Sequence, residues 1–322
     1  MFDKKWINVV ITTFQHEAWI QQSIDSVLNQ DYPYIKNIFI IDDCSEDKTF
    51  EILKSYQDSR IKLFRNDENM GVSYSANRIL DIACADRDVD YIAIFSGDDV
   101  WAPEKISSQI EFLRENTRYD IIFTDCLTID EVGNISPRMP IFDYENTSRH
   151  QWVFKLFLKN WFVGSSVLFR RSLWKNIGPF DIRLRQIQDW KLWISAVSKG
   201  FEVYVLEKPL VYYRFHTNSI SNNESPEKNA RLLTEIPFCL EAFRDISIGD
   251  LRSAFPSDLD RSDLFGNTRS VDVGLAVLSS MVNSRAYHQF AAETMSGYYK
   301  DNYHLGLVKD KEYHQFIGNL RK

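Results

Sequence analysis

Three short polar runs in the first hundred residues could do chemistry. Thr12-Thr13-Phe14, Asp42-Asp43-Cys44-Ser45-Glu46-Asp47 and Ser96-Gly97-Asp98-Asp99 each follow an apolar stretch. Adjacent carboxylates repel one another unless something positive or hydrogen-bonding sits between them. A divalent cation is one solution, because hard cations take carboxylate oxygens as ligands. A nucleotide is another, since a base N–H or a ribose hydroxyl donates to a carboxylate. Both acid runs also have a plain structural reading, as turns whose acids cap the next helix; for Ser45 and Asp47 the two readings weigh equally. Other chemistries have less support. Cys44, Cys84, Cys126 and Cys239 lie far apart with no C-x-x-C pair, which argues against zinc and suits a reducing compartment. A net charge of -7 argues against a nonspecific nucleic-acid binder.

For these runs to meet, the stretches before them must be neighbouring strands. Residues 7–13, 37–41, 61–64, 91–95 and 120–124 read as strands, and 17–29, 48–57, 72–84 and 103–114 as the helices between them. Strand and helix alternating in this way predict an α/β fold, an open and mostly parallel sheet flanked by helices. In such sheets ligands bind beyond the carboxyl ends of the strands, where the three polar runs stand. Beyond Thr128 the pattern changes. A turn at 130–134, helices at 149–159 and 187–198, strands at 203–206 and 211–215 and a polar loop at 217–229 are expected, followed by helices with polar breaks from about 232. We place a soft boundary near residue 230, giving a first domain of 1–230 and a helical C-terminal extension of 231–322. Hydrophobic residues make up 44%, enough for a packed core, yet no run of about 18 apolar residues offers a membrane span. The opening apolar run is too short for a signal peptide, so a cytoplasmic location is expected.

The ordered motifs resemble family 2 glycosyltransferases with the GT-A fold. The likeness begins in residues 9–53, VVITTFQHEAWIQQSIDSVLNQDYPYIKNIFIIDDCSEDKTFEIL, and continues through Asn69-Met70-Gly71-Val72, Ala76-Asn77 and YIAIFSGDDVWAPEKI. It resumes at 164–169, at Ile177-Gly178-Pro179-Phe180-Asp181, at Gln188-Asp189-Trp190 and at Tyr213-Arg214-Phe215-His216. It covers roughly 7 to 221 and leaves the last ninety or so residues untouched.

The resemblance implies a nucleotide-diphospho-sugar transferase acting on a UDP-sugar or a similar donor. Thr12, Phe14 and Asp43 would hold the nucleotide, with Asp42 supporting the turn, Arg65 or Asn69 near the nucleotide, and Arg78 either meeting a phosphate or standing on a solvated helix face. Asp98 and Asp99 would serve the ribose and a Mn²⁺ or Mg²⁺ ion, and His216 would be a third ligand; which acid is the main one stays open. Asp189 would be the general base, and displacement with one base inverts the sugar. Where the family commonly has Asp-x-Asp-Asp, Ser96 replaces the first acid, which motivates a second reading as a non-catalytic nucleotide-sugar-binding scaffold. An oxidoreductase reading fails, because no G-x-G-x-x-G follows the first strand. Family members build surface polysaccharide or lipopolysaccharide, so the expected partners are a donor and a saccharide or lipid-linked saccharide acceptor, with a peripheral membrane contact and a homodimer contact left open for the C-terminal helices. The region 161–166 would border the acceptor, and the choice of sugar, acceptor and linkage would depend on it and on the segment 138–149. His16, His150, His288 and His304 have no partners at ligand spacing and read as surface or core residues.

Overall fold

The first four apolar runs form one parallel unit. In this computed structural model, which describes residues 4–136, 147–217, 219–220, 225–256, 270–302 and 310–319, β1 (Ile7–Thr13), β2 (Ile35–Asp42), β3 (Ile61–Arg65) and β4 (Tyr91–Ser96) pair in the order β3-β2-β1-β4. β1 and β4 are central and covered on both faces, so they read as unbroken apolar runs instead of alternating ones. The crossovers are α1 (Ile20–Leu28), α2 (Thr49–Ser55) and α3 (Val72–Ala85). α3 buries Ala76, Ile79, Leu80 and Ala83, an i, i+3, i+4, i+7 stripe that faces the sheet.

The other half of the sheet is mixed. β5 (Val100–Trp101), β6 (Ile121–Ile129), β7 (Leu168–Arg170) and β8 (Val203–Arg214) extend the order to β3-β2-β1-β4-β7-β6-β8-β5. β7 runs antiparallel to both β4 and β6, β6 runs parallel to β8, and β5 runs antiparallel to β8. The two runs expected at 203–206 and 211–215 are a single strand. A register shift interrupts it opposite Asp125, where the partner is Pro209, a residue with no N–H to give to the ladder. The turn at 130–134 is present, closed by the Ile129–Ile135 bridge.

The remaining helices are α4 (Lys105–Glu115), α5 (Arg149–Leu158), α6 (Trp174–Ile177), α7 (Gln188–Ser198), α8 (Pro226–Leu240), α9 (Ile248–Ala254), α10 (Val271–Met281), α11 (Arg285–Asn302) and α12 (Asp310–Asn319). α8 begins inside the stretch expected to be a loop. Ser225 caps it by accepting from Lys228 N–H, and Pro226 follows at the first helical position, where its missing N–H costs nothing. One apolar layer packs α1 and α4 on the sheet through Ile24, Ile106 and Ile110. On the opposite face α3, α5 and α7 share a single core with the C-terminal helices, in which Trp193 meets the same cluster as Leu240, Phe243, Leu251 and Phe290. No described helix is long and apolar enough to cross a membrane. His304 and most of 138–149 lie outside the described residues.

Candidate active site

Strand register brings the three polar runs to one edge. Thr13 pairs with Asp42 and Thr12 with Ser96, so the chain leaves β1, β2 and β4 at one level. β5 then pairs with β8, Val100 opposite Tyr212, which carries the 98–99 turn against the end of β8. A cavity of about 250 Å³ opens there. Thr12, Phe14, Asp98, Asp99, Asp189 and His216 all line it, and so does His16.

Asp43 is not part of that wall. Its Oδ1 accepts from Asn66 Nδ2 at 2.7 Å and Met70 N at 2.9 Å, and its Oδ2 from Gly71 N at 2.8 Å. Gly71 sits at φ 86, a conformation that glycine adopts without strain, just before α3. Asp43 thus organises the 66–71 loop. Asp42 is buried behind it, held by Ser45 and by Arg65 Nε at 3.1 Å. Arg78 donates to Arg65 O and Asn66 Oδ1, so both arginines are used on the loop; Asn69 is exposed.

Asp98 gathers two imidazoles. His216 Nε2 lies 3.0 Å from Asp98 Oδ2, and His16 Nε2 lies 3.8 Å from the same atom. Ser96, in the slot of the missing acid, donates to Asp98 Oδ1 and so orients this carboxylate. Burial alone would raise the Asp98 carboxyl, but His16, His216 and the Ser96 hydroxyl outweigh it and hold Asp98 well below the usual carboxylate range. Burial lowers the His16 imidazole from its ordinary value, against the pull of Asp98. Its Nδ1 lies 3.1 Å from Thr13 Oγ1, and the His216 ring packs 4.2 Å from Trp19 between centroids. Ligand atoms of His16, Asp98 and His216 lie within 4.8 Å of one another, and His216 Nδ1 is buried without a hydrogen-bond partner. That set of nitrogen and oxygen donors fits a divalent cation such as Mn²⁺. The reading of His16 as a bystander is therefore corrected. The chain turns back directly after β1, with Gln15 at φ 54, and returns the imidazole over the strand end. His150 instead pairs with Asp250 at 2.8 Å.

Asp99 meets different partners from its neighbour. It is fully buried, accepting from the Ser165 hydroxyl and from Arg214 N at 2.9 Å. Burial and then the Asp98 charge push its carboxyl well above the usual range. The Arg214 guanidinium locks the turn by donating to Asp98 O, Asp130 O and Gln22 Oε1 at 2.7–2.9 Å. Gly97 lets the turn approach β1, since a Cβ there would lie 2.5 Å from Thr13 Oγ1 and 2.7 Å from Thr13 Cβ. Gly97→Ala is expected to destabilise the fold by about 1–3 kcal/mol, as overpacking does, and to loosen Asp98. An unchanged melting temperature would contradict this close approach.

Asp189 faces the Asp98 cluster from another wall of the cavity. It opens α7, accepting from Asn160 Nδ2 at 3.0 Å and from Trp190 N at 2.8 Å. Burial pushes its carboxyl up to about 6. Gly164 borders it, where a Cβ would lie 3.8 Å from Asp189 Oδ2, an ordinary van der Waals contact. The segment leading into α7 is held by a residue that sequence reading missed. Glu235, buried on α8, accepts from the backbone N–H groups of Arg185, Gln186 and Ile187 at 2.9, 3.0 and 3.2 Å. Nothing in its surroundings along the chain signals that role, because its partners lie 48–50 residues earlier. Trp190 and Trp193 pack in the core.

Comparison with known proteins bears on the family and the fold. The chain is 30% identical over 230 residues, 69% of its own length and 83% of the relative's, to the putative teichuronic acid biosynthesis glycosyltransferase TuaG of Bacillus subtilis. It is 28% identical over 223 residues, 69% of its length and 82% of the relative's, to the UDP-Glc:alpha-D-GlcNAc-diphosphoundecaprenol beta-1,3-glucosyltransferase WfaP of Escherichia coli. Its fold superposes on S. aureus TarS in complex with UDP-GlcNAc with a TM-score of 0.57 at 17% identity, covering 98% of this chain and 91% of that one. Residues 8–178 match the family described as Glycosyl transferase family 2, and the chain belongs to that family of sugar-transferring enzymes.

Proposed function

We propose that this enzyme is an inverting, metal-dependent transferase that moves a sugar from a UDP-sugar to a hydroxyl of a saccharide or lipid-linked saccharide during surface-polysaccharide synthesis, at the cytoplasmic face of a membrane. The observation that carries the reading is the placement, in one cavity, of the Asp98–His216–His16 cluster and a raised carboxyl at Asp189. TuaG and WfaP, named for teichuronic acid synthesis and for a UDP-glucose donor with a lipid diphosphate acceptor, support the choice of donor and acceptor class. The catalytic unit is taken as 1–230 and the helices of 231–322 as its extension, sharing one core with it.

Each need of the reaction then has a residue. Thr12 and Phe14 border the nucleoside at the end of β1. Three of the lone-pair positions on Asp43 are taken by the protein, and the free one on Oδ2 remains for a base N–H. Asp98 and His216, with His16 beside them, would hold the cation. A bound Mn²⁺ or Mg²⁺ supplies a Lewis acid that offsets the charge of the departing diphosphate. Asp189 accepts the proton of the attacking hydroxyl, and its raised basicity suits work near neutral pH. Attack from the side opposite the leaving group, with one base, inverts the anomeric centre.

Calorimetric titration with UDP tests this directly. Binding is expected in the presence of Mn²⁺ and at least tenfold weaker after its removal by chelation. Failure to bind UDP, GDP, TDP or CMP, with and without metal, would overturn the reading.

A further inference from the structure

Among the described residues, Gln186, Gln188, Trp193, Ser198, His216 and Ser279 each carry a buried side-chain polar atom without a hydrogen-bond partner. Four of these six residues line the cavity already described. Native interiors leave few such atoms unpaired, so their collection at one cavity points to partners that arrive with a ligand. His216 is accounted for by the cation cluster. The other three atoms, Gln186 Oε1, Gln188 Oε1 and Trp193 Nε1, sit on the short stretch that also carries Asp189.

We propose that Gln186, Gln188 and Trp193 form the acceptor-saccharide subsite, with Glu235 of the C-terminal region as the positioning residue that fixes it. The proposal rests on the reading of Asp189 as the base. Two carboxamide oxygens accept and an indole N–H donates, and a sugar hydroxyl can do both. A carboxamide turned end for end offers its NH₂ instead, which a hydroxyl oxygen also satisfies. None of the three side chains is charged, so they offer nothing to offset the charge of the donor's diphosphate. The wall between them includes Phe180 and Val72, apolar surface against which the C–H face of a pyranose packs. Because a base must reach the proton it removes, the group nearest Asp189 is the attacking hydroxyl of the acceptor.

The subsite is preorganised. Trp193 is 1% exposed and stands edge-on to Phe123 at 4.9 Å between centroids. Gln186 lies in the segment whose amides Glu235 binds, so its backbone is set by a carboxylate from α8 before any sugar arrives. The helices beyond the family-matched residues thereby take part in acceptor recognition without touching the acceptor.

The test uses the full-length protein with Mn²⁺ and three probes. UDP and UDP-glucose are titrated calorimetrically, and a panel of methyl glycosides of hexoses and N-acetylhexosamines is examined by saturation-transfer NMR with UDP present. At least one glycoside is expected to bind the wild type. The double variant Gln186→Ala/Gln188→Ala is expected to weaken it tenfold or more while UDP and UDP-glucose affinities stay within twofold. Glu235→Gln, which sets an NH₂ against backbone donors, is expected to weaken the glycoside in the same direction with UDP binding retained. If the double variant unfolds, the single Gln188→Met variant carries the same comparison. Binding of no glycoside, or equal binding to wild type and variants, overturns the subsite. A selective loss of UDP-glucose with UDP unchanged assigns the carboxamides to the donor sugar and overturns the acceptor reading. The UDP arm reads the proposed function separately, since wild-type protein that fails to bind UDP sinks the donor site whatever the glycosides do.

Discussion

Replacing Asp189 with asparagine is expected to slow sugar transfer by about 10²–10⁴-fold, the range a positioned general base supplies. UDP affinity should be unchanged, because the nucleotide residues stand at or just beyond the ends of β1, β2 and β4, while Asp189 opens α7. The pH dependence follows from burial. With the carboxyl pushed up to about 6, the wild-type rate should fall tenfold per pH unit below about 6 and level off above it. The stability effect has the opposite sign. Folded Asp189 binds its proton more tightly than the unfolded chain does, so its contribution is fully present below the ordinary value of 3.8 and is lost as pH rises through about 6. The asparagine variant should therefore melt above the wild type at pH 7, by on the order of 2 kcal/mol after allowing for solvent screening, and match it near pH 4. An undiminished transfer rate in this variant would remove Asp189 from the chemistry.

The second large effect is expected at Asp98. Asp98→Asn should weaken metal-dependent UDP binding by at least about 100-fold, more than loss of a residue that merely orients a ligand. Asp99→Asn should behave differently. Its carboxylate is spent on the Ser165 hydroxyl and on Arg214 N, so the variant should lower the melting temperature and keep the Mn²⁺ requirement. Paired Mn²⁺ titrations, read by electron paramagnetic resonance beside UDP calorimetry, separate the two. The reverse pattern would move the cation to Asp99. His16→Ala should cost about tenfold in Mn²⁺ affinity, a loss that a surface histidine would not produce.

How much of this was legible in the chain depends on the range of the interaction. β1, β2 and β4 could be read because central parallel strands are continuous apolar runs, and the rule that ligands gather at their carboxyl ends led directly to Asp43, Asp98 and Asp99. β7 has three residues and runs against its neighbours, so its direction has no periodic signature. The single strand β8 looked like two because Pro209 interrupts the pattern at a register shift. Asp98 and Asp99 could not be told apart in sequence, since both line the cavity and only the fold says which one meets the histidines. His16 has its nearest signal in Thr13, three residues back, but no spacing rule links it to Asp98 across 82 positions, and none links Glu235 to partners 48–50 residues earlier.

The tie between Glu235 and the segment before Asp189 constrains recombination among relatives. The family-matched stretch ends at residue 178, ahead of both ends of that tie. A chimera that joins the donor-binding strands of this enzyme to the rest of another inherits a matched pair only if the 185–189 loop and α8 come from the same parent. A cut between 190 and 225 would separate the three amides of 185–187 from the carboxylate that accepts from them in this chain. Exchange of specificity in this chain would thus move the 185–189 segment and α8 together, with crossovers upstream of residue 185 or beyond residue 240.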